Sequence, residues 1–450
     1  MVKVITYGTY DLLHQGHINL LKRAKELGDY LIVGVTNDNF DRERGKLNVR
    51  NNVLERVEAV KATGLADQIV IEDYVGQKID DIQKYDVDIF AIGSDWVGKF
   101  DYLEEYCKVV YLPRTEGISS TMLRAESERI VRIGVSGCGR IAKRFVPESS
   151  YVDAAEIAGF YDVVRSNAEA LSSMKEGAVV YDSYEDMVAD VEAVYIATPH
   201  LSHYEQAKYA LENGKHVLCE TPLVLKEEQA IELYSIAEQN GVVLLEANKT
   251  AFCPAFNHLV TLVKSGMIGD VVGIDASESK LWGKERLKRE LDPAEAGGSL
   301  YEMGSYPLLP IVRLLGTEYE NINIYSRLNE DGVDVYTRGI MRYKNALSSF
   351  QLGLGVKTEG NLVISGTQGY VYVPSPWWKT DYFELRYEDQ EKNRKYFYTW
   401  SESGLRYEIR EFISCVVNGR LTSSRLTPKE SICMARVMEQ FAQQKNFFKI

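Results

Sequence analysis

Val2-Lys3-Val4-Ile5-Thr6-Tyr7, running through Gly8-Thr9-Tyr10-Asp11 to His14-Gln15-Gly16-His17, is the stretch on which the reading of the fold turns. A short apolar run ends in a turn. Ile18, Leu20, Leu21, Ala24 and Leu27 then recur at roughly helical spacing, and a second apolar run, Leu31-Ile32-Val33-Gly34-Val35, follows Gly28-Asp29. The unit is strand, turn, helix, strand. In an open parallel sheet such a turn lies at the carboxyl ends of the strands, where ligands of doubly wound folds bind. Two imidazoles stand there beside the free amides of a positively polarised helix terminus, and Gly16 lets a ligand come close to the backbone, so the expected occupant is an anion. A His-x-x-His pair without such surroundings is more often two surface or partly buried histidines; the context lends this pair its chemistry.

Two further blocks follow in order: Gly93-Ser94-Asp95-Trp96-Val97-Gly98-Lys99-Phe100-Asp101, and Arg114-Thr115-Glu116-Gly117-Ile118-Ser119-Ser120-Thr121 after the strand Val109-Val110-Tyr111-Leu112. With the histidine pair they resemble the glycerol-3-phosphate cytidylyltransferase family over about residues 1–127. The resemblance implies cytidylyl transfer from CTP, a reaction that needs positioned positive donors around an α-phosphate and its leaving pyrophosphate and little covalent chemistry. It implies that His14 and His17 contact the triphosphate and stabilise transition-state charge, with Thr9 and Gly16 beside them. Arg114, Thr115, Ser119 and Ser120 would hold the phosphates from the other side. Arg44 and Lys46, in the polar loop Asp41-Arg42-Glu43-Arg44-Gly45-Lys46, match basic positions that approach the two substrates; the other reading of that loop is a solvated charge run. Asp11 and Asp95 suit either a magnesium ion or the hydroxyls of cytidine and polyol, Trp96 joins Asp95 in the substrate set, and Arg56 matches a position that supports phosphate binding. Mg2+ is expected to arrive with CTP, and no residue is assigned as a certain protein ligand of it.

A second nucleotide motif begins soon after. Ile130-Val131-Arg132-Ile133-Gly134-Val135-Ser136 runs into Gly137-Cys138-Gly139-Arg140-Ile141-Ala142, a strand followed by Gly-x-Gly-x-x-Ala, and Lys143-Arg144-Phe145 continues as helix. Gly137 and Gly139 permit a tight turn and close approach to a pyrophosphate, with Arg140 and Ile141 opening the helix and small Ala142 letting it pack on the strand. Ala155-Glu156-Ile157-Ala158-Gly159-Phe160-Tyr161 closes on Asp162, placed to accept hydrogen bonds from a ribose hydroxyl. An acid there favours NAD; Arg165 nearby leaves NADP open.

Ala193 to His200, Gly214 to Pro222 and Gly297 to Pro307 then appear in order. Together they resemble the glucose-fructose oxidoreductase, inositol dehydrogenase and rhizopine catabolism family over about residues 130–450. Thr198, Pro199, His203 and Glu220 fall on its cofactor blocks, Glu302 on a substrate-binding acid that is commonly Asp, and Tyr306 on a proton donor that is usually His or Tyr. One position departs: the family's Glu-Lys-Pro reads Glu220-Thr221-Pro222 here, so a cationic donor is missing. Lys249, after Glu246-Ala247-Asn248, is the candidate to replace it from a neighbouring strand end. The competing reading of Tyr306 is a structural tyrosine in a chain with 29 of them.

Composition agrees with more than one core: 450 residues, 45% hydrophobic and 26% charged, describe a globular protein larger than one ordinary domain. The net charge of -13 argues against broad binding of nucleic acid or anionic membrane. Six scattered cysteines, Cys107, Cys138, Cys219, Cys253, Cys415 and Cys433, give neither zinc spacing nor a disulfide framework, and burial as small apolar residues is expected. No leader and no membrane span are expected, and a cytoplasmic enzyme fits. Beyond residue 255 the strands 271–276, 321–325, 339–343, 348–352 and 369–373 suggest one open sheet, and 407–413 and 428–444 return to helical spacing. Trp377, Trp378 and Trp400 are read as core first.

The expected fold is α/β: a Rossmann-like nucleotidyltransferase domain (1–127), a dinucleotide-binding Rossmann domain (130–250), and an α+β substrate and dimerisation domain (251–450) with an open, mostly antiparallel sheet and C-terminal helices returning toward the Rossmann domain. The family resemblance implies a homo-oligomer, dimer or higher. The implied function joins CTP-dependent activation of glycerol 3-phosphate or a related polyol phosphate to NAD(P)-dependent redox chemistry on a related small polyol or keto-sugar unit, for cell-envelope polymer precursors. Two alternatives stand beside it: an active transferase carrying an inactive NAD-binding or oligomerisation module, and a transferase for another phosphorylated alcohol such as phosphocholine or phosphoethanolamine.

Overall fold

The computed structural model describes residues 1–37, 53–72, 76–113, 129–281, 288–400 and 402–450, and the chain divides into two compact units, Met1–Arg129 and Ile130–Ile450.

In the first unit, β1 (Lys3–Gly8), β2 (Tyr30–Thr36), β3 (Gln68–Glu72), β4 (Ile89–Gly93) and β5 (Lys108–Leu112) form one parallel sheet in the order β3-β2-β1-β4-β5. Alternation along the strands covers both faces. Val4, Leu31, Val33 and Val35 join Leu21 and Ala24 of the helix Gln15–Lys25, while Ile5, Tyr7 and Ile32 pack with Ile82 and Phe90. Gly34 is required because a Cβ there would meet the Tyr7 ring at 2.2 Å. The order reverses between β1 and β4, so the loops after these strands flank the topological switch point.

The second unit opens with a parallel sheet of β6 (Val131–Ser136), β7 (Ala155–Tyr161), β8 (Val179–Val180), β9 (Ala193–Ile196), β10 (His216–Glu220) and β11 (Leu244–Ala247), ordered β11-β10-β9-β6-β7-β8. Its switch point lies between β6 and β9. A nine-stranded mixed sheet follows, built from β12 (Val271–Lys280), β13 (Asn321–Leu328), β14 (Asp334–Arg342), β15 (Leu347–Leu354), β16 (Leu362–Gly366), β17 (Tyr370–Val373), β18 (Tyr382–Arg386), β19 (Arg394–Phe397) and β20 (Phe447–Lys449). Its pairs are antiparallel except β12 with β15 and β13 with β20.

The strand β12 continues four residues past the apolar stretch read from sequence. Ser277, Glu278 and Ser279 are buried despite their polarity, because the Ser277 carbonyl accepts from Trp377 Nε1 at 2.9 Å and the Ser279 hydroxyl accepts from the Thr358 amide at 2.8 Å. Trp377 is accordingly full core, and Trp378 and Trp400 pack partly buried on the same cluster. The C-terminal helices are Leu405–Val417 and Pro428–Ala442; the second opens with a capping box between Thr427 and Glu430. Leu405–Val417 packs on the helix Ala142–Ser149 of the Rossmann portion, where Glu148 accepts from the Ser403 amide at 2.8 Å and from Arg406. All six cysteines are free and all but Cys107 are buried. Among the described residues no helix is long and apolar enough to cross a membrane.

Candidate functional sites in the two units

The loop after β1 is shaped by backbone that side chains seldom adopt: Tyr10 and Leu12 have φ of 54° and 46°. It delivers His14 as N-cap of Gln15–Lys25, where Nδ1 accepts from the Gly16 amide at 3.0 Å. With Nδ1 accepting, the proton of the neutral ring sits on Nε2 as a donor. The His14 and His17 rings stack with centroids 3.9 Å apart, and Tyr10 meets His17 edge-on at 5.5 Å. The imidazole couple is thus one preassembled feature on a helix N-terminus.

Asp11 and Thr9 are buried in the same loop. Arg56, from the helix Val53–Ala62, is 1% exposed and its Nη1 donates to the carbonyls of Thr9 (2.7 Å) and Thr36 (2.8 Å). These two contacts tie the ends of β1 and β2 beneath the loop; the family position that Arg56 matches is one that supports phosphate binding. Asp95 and Trp96 lie after β4, across the switch point; Asp95 is exposed and Trp96 leans on Phe100 with centroids 5.9 Å apart. Arg44, Lys46, Arg114, Thr115, Ser119 and Ser120 lie outside the described residues. Among the described residues no three metal-ligating side chains gather into an ion site.

In the second unit Gly137 has φ 87°, and a Cβ there would meet the Ala197 carbonyl oxygen at 2.6 Å, whereas Gly139 faces open space. The turn therefore brings bare backbone to the β6/β9 switch point, with Arg140 and Ile141 leading into Ala142–Ser149. Asp162 is held by two amides, Cys138 to Oδ2 at 2.7 Å and Val164 to Oδ1 at 2.8 Å. Arg165 turns to Asp182 and Glu169. The glycine cradle and the oriented acid fit a dinucleotide.

Thr198 and Pro199 follow β9, and the Thr198 hydroxyl oxygen is buried without a hydrogen-bond partner. His203 is fully buried with its ring nitrogens 2.9 Å from the carbonyls of Pro222 and Thr198, which makes it a brace between two cofactor-side loops. Glu220 accepts from the Tyr195 hydroxyl, and burial is the main cause that pushes its carboxyl up to about 7. Thr221, in the place of the missing lysine, donates to Glu246 at 3.0 Å. Lys249 opens the helix Lys249–Phe252 after β11, is buried, and is depressed by desolvation against the opposing pull of Glu408 and Glu220. Tyr306 is held far above the usual phenol range by burial and then by Glu220, Glu278 and Glu408, so it is a neutral donor. Glu302 pairs with Arg289 at 2.8 Å and lies 3.8 Å from His200 Nε2.

Sequence reading missed four members of this cluster. His200, pushed down to about 3 chiefly by burial and so a neutral ring, stood at the end of a quoted block without a role. Arg289, Glu278 and Glu408 gave no local signal, because three separate elements carry them to the pocket.

The first unit is thereby a nucleotidyltransferase-like fold, and the second a dinucleotide-binding oxidoreductase fold. Residues 5–126 match the cytidylyltransferase-like family, residues 131–248 the GFO/IDH/MocA oxidoreductase family with an NAD-binding Rossmann fold, and residues 256–372 the GFO/IDH/MocA C-terminal domain. The glycerol-3-phosphate cytidylyltransferase of Bacillus spizizenii is 51% identical over 126 residues, covering 28% of this chain and 97% of that protein. The trans-1,2-dihydrobenzene-1,2-diol dehydrogenase of Sus scrofa is 28% identical over 326 residues, covering 69% of this chain and 95% of that protein. A 3-ketoreductase from Actinomadura kijaniata, KijD10, solved with NADP and TDP-benzene, shares the fold of the second unit with a TM-score of 0.64 at 22% identity, over 72% of this chain and all of that one. The chain belongs to the glycerol-3-phosphate cytidylyltransferase family through its first unit, fused to a GFO/IDH/MocA oxidoreductase with its C-terminal domain. It is an enzyme of both types, a cytidylyltransferase and an NAD(P)-binding oxidoreductase.

Proposed function

We propose that the first unit makes CDP-glycerol, or a close CDP-polyol, from CTP and the polyol phosphate. A phosphate oxygen of the polyol phosphate attacks the α-phosphorus of CTP, the bond to the β-phosphate breaks, and pyrophosphate leaves. His14 and His17 stabilise the charge that builds on the phosphates, the helix N-terminus adds amide donors, and Arg56 keeps the loop in place. Arg114, Thr115, Ser119, Ser120, Arg44 and Lys46 are assigned to the same substrates by family resemblance. Mg2+ carried by CTP would supply charge shielding of its phosphates. The observation that carries this reading is the stacked imidazole couple at the β1/β4 switch point, in a unit half identical to a glycerol-3-phosphate cytidylyltransferase.

We further propose that the second unit interconverts a ketone and an alcohol on a related polyol unit, before or after activation. The bound dinucleotide supplies or takes the hydride. Tyr306 holds the proton for the carbonyl oxygen, and Lys249 supplies the positive charge that Thr221 cannot. NAD is favoured over NADP because Asp162 meets the ribose edge while Arg165 is engaged by Asp182 and Glu169. The setting proposed is cytoplasmic synthesis of cell-envelope polymer precursors, by a homo-oligomer whose units divide as 1–127, 130–250 and 251–450.

The test is direct. The full chain with CTP, Mg2+ and glycerol 3-phosphate is expected to release pyrophosphate, and with NADH and a panel of keto-polyol phosphates and CDP-linked ketoses to oxidise NADH. No pyrophosphate overturns the first half. Tight NADH binding without turnover of any ketone overturns the second and leaves a binding module.

A further inference from the structure

Arg289 is a cation that the chemistry above leaves without a task. Its Nη2 forms an ion pair with Glu302 Oε1 at 2.8 Å, and the same carboxyl oxygen lies 3.8 Å from His200 Nε2. The other terminal nitrogen, Nη1, is buried and has no hydrogen-bond partner. An unmet buried donor on a charged group is costly and calls for an explanation; a ligand that brings the acceptor is one.

The backbone fixes where this guanidinium starts. The Gly297 amide donates to the Asp292 carbonyl and the Gly298 amide to the Glu290 carbonyl, both at 2.9 Å, and a Cβ at Gly297 would meet the Glu290 carbonyl oxygen at 2.7 Å. The turn that carries Arg289 is therefore tied to the two glycines leading into the helix Ser299–Met303, on which Glu302 stands. Next to Arg289, Glu290 pairs at 3.6 Å with Arg140, the residue after Gly139 of the dinucleotide turn. Arg289 and Glu290 thus link the residues that fit the cofactor to the acid that the family resemblance gives to the substrate.

We propose that Arg289 binds a phosphate of the oxidoreductase substrate, so that the second unit acts on a phosphate-bearing ketone or alcohol in preference to a neutral one. The inference rests on the oxidoreductase reading above. The ion pair with Glu302 orients the guanidinium, and Nη1 offers its N–H groups to phosphate oxygens; a planar cationic donor suits that anion better than a neutral hydroxyl. A phosphate-bearing substrate also agrees with the chemistry proposed for the first unit, because the polyol phosphate consumed there and the CDP-polyol formed both carry phosphate on the polyol unit. The shared chemistry is the phosphate oxygen, whether of a phosphomonoester or of the diphosphate in a CDP-linked ketose.

Two measurements on the full-length protein test it. In the first, NADH oxidation is followed with dihydroxyacetone phosphate, CDP-dihydroxyacetone and dihydroxyacetone. Wild type is expected to prefer a phosphate-bearing ketone, and Arg289→Met to lower that preference, the ratio of kcat/KM for charged over neutral ketone, by about 10–100-fold, chiefly through KM, with Arg289→Lys in between. A fall confined to dihydroxyacetone phosphate assigns the site to a phosphomonoester, and one confined to CDP-dihydroxyacetone assigns it to the diphosphate. No preference in wild type, or an unchanged ratio in Arg289→Met, overturns the inference, because a residue that only holds Glu302 would slow all three ketones alike. In the second, inorganic phosphate is titrated by calorimetry into the NADH-loaded protein. Arg289→Met is expected to weaken one phosphate site about tenfold or more, and phosphate held by the first unit is common to both proteins. Superimposable isotherms overturn the inference. NADH binding with no turnover of any ketone by wild type defeats the oxidoreductase reading itself, and the phosphate titration then still decides the Arg289 site. Should Arg289→Met fail to bind NADH, Arg289→Lys against wild type carries both comparisons, with identical ratios and isotherms counting against the proposal.

Discussion

The two sites are built differently. At the β1/β4 switch point side chains brace the backbone: His14 accepts from the Gly16 amide, and Arg56 donates to the carbonyls of Thr9 and Thr36. The second unit instead buries carboxyl groups with unmet bonds, Glu408 and Glu278 among them, and buries Lys249 as well. A phosphoryl-transfer site works by holding fixed donors where charge develops, so its frame is rigid and its residues sit close together in sequence. A hydride-transfer site must also move a proton, and here the groups able to do so come from the ends of β10 and β11, from β12 and from two distant helices. The first unit keeps the histidine motif of its relatives, while the second departs at Thr221, where the proposal gives the missing charge to Lys249.

Several measurements break or sharpen that contrast. The largest effect is expected from His17→Ala, which removes one transition-state donor: cytidylyl transfer falls by about 10²–10³-fold or more in kcat, while NADH fluorescence on binding is unchanged. Loss of both functions together would mean the two pockets are not independent. Tyr306→Phe comes next, with a fall of about a hundredfold in ketone reduction and no change in pyrophosphate release; unaltered turnover would return Tyr306 to the class of structural tyrosines. Gly137→Ala pushes a Cβ onto the Ala197 carbonyl at a φ of 87°, so NADH affinity is expected to drop about tenfold or more, read by fluorescence titration, again with transfer intact.

The smallest effect is on stability. Burial holds the Glu278 carboxyl of the folded state up at about 7, above its unfolded value. A group raised in this way favours folding fully only below the unfolded value, and that contribution is lost as pH rises toward 7. Glu278→Gln is therefore expected to be more favourable relative to wild type at pH 8 than at pH 5, by about 2–3 kcal/mol, whatever pH-independent cost the amide's own unmet hydrogen bonds add. Denaturant titrations at the two pH values check it; equal effects at both would place the cost of Glu278 in packing.

Both parallel sheets were legible because strand, turn and helix follow one another within thirty or so residues and the glycines mark the turns. The histidine couple was legible for the same reason. For Arg56 the sequence suggests support of phosphate, and the fold adds that its guanidinium donates to two carbonyls beneath the loop. The end of β12 was missed because Ser277-Glu278-Ser279 reads as loop, and its burial depends on Trp377 and Thr358, far along the chain. Glu408 is the extreme case. It stands beside Tyr407 and Ile409 in an ordinary helical pattern, and only the fold shows that it is fully buried with neither carboxyl oxygen hydrogen-bonded.

The central claim is that the front unit is a working cytidylyltransferase whose chemistry rests on the imidazole couple. The most direct measurement is quantitative formation of CDP-glycerol by the full chain from CTP, Mg2+ and glycerol 3-phosphate, for wild type and His17→Ala side by side. Equal yields of CDP-glycerol and pyrophosphate from wild type, with neither from a folded, NADH-binding His17→Ala variant, is the predicted result; no product from wild type, or undiminished product from the variant, would contradict it.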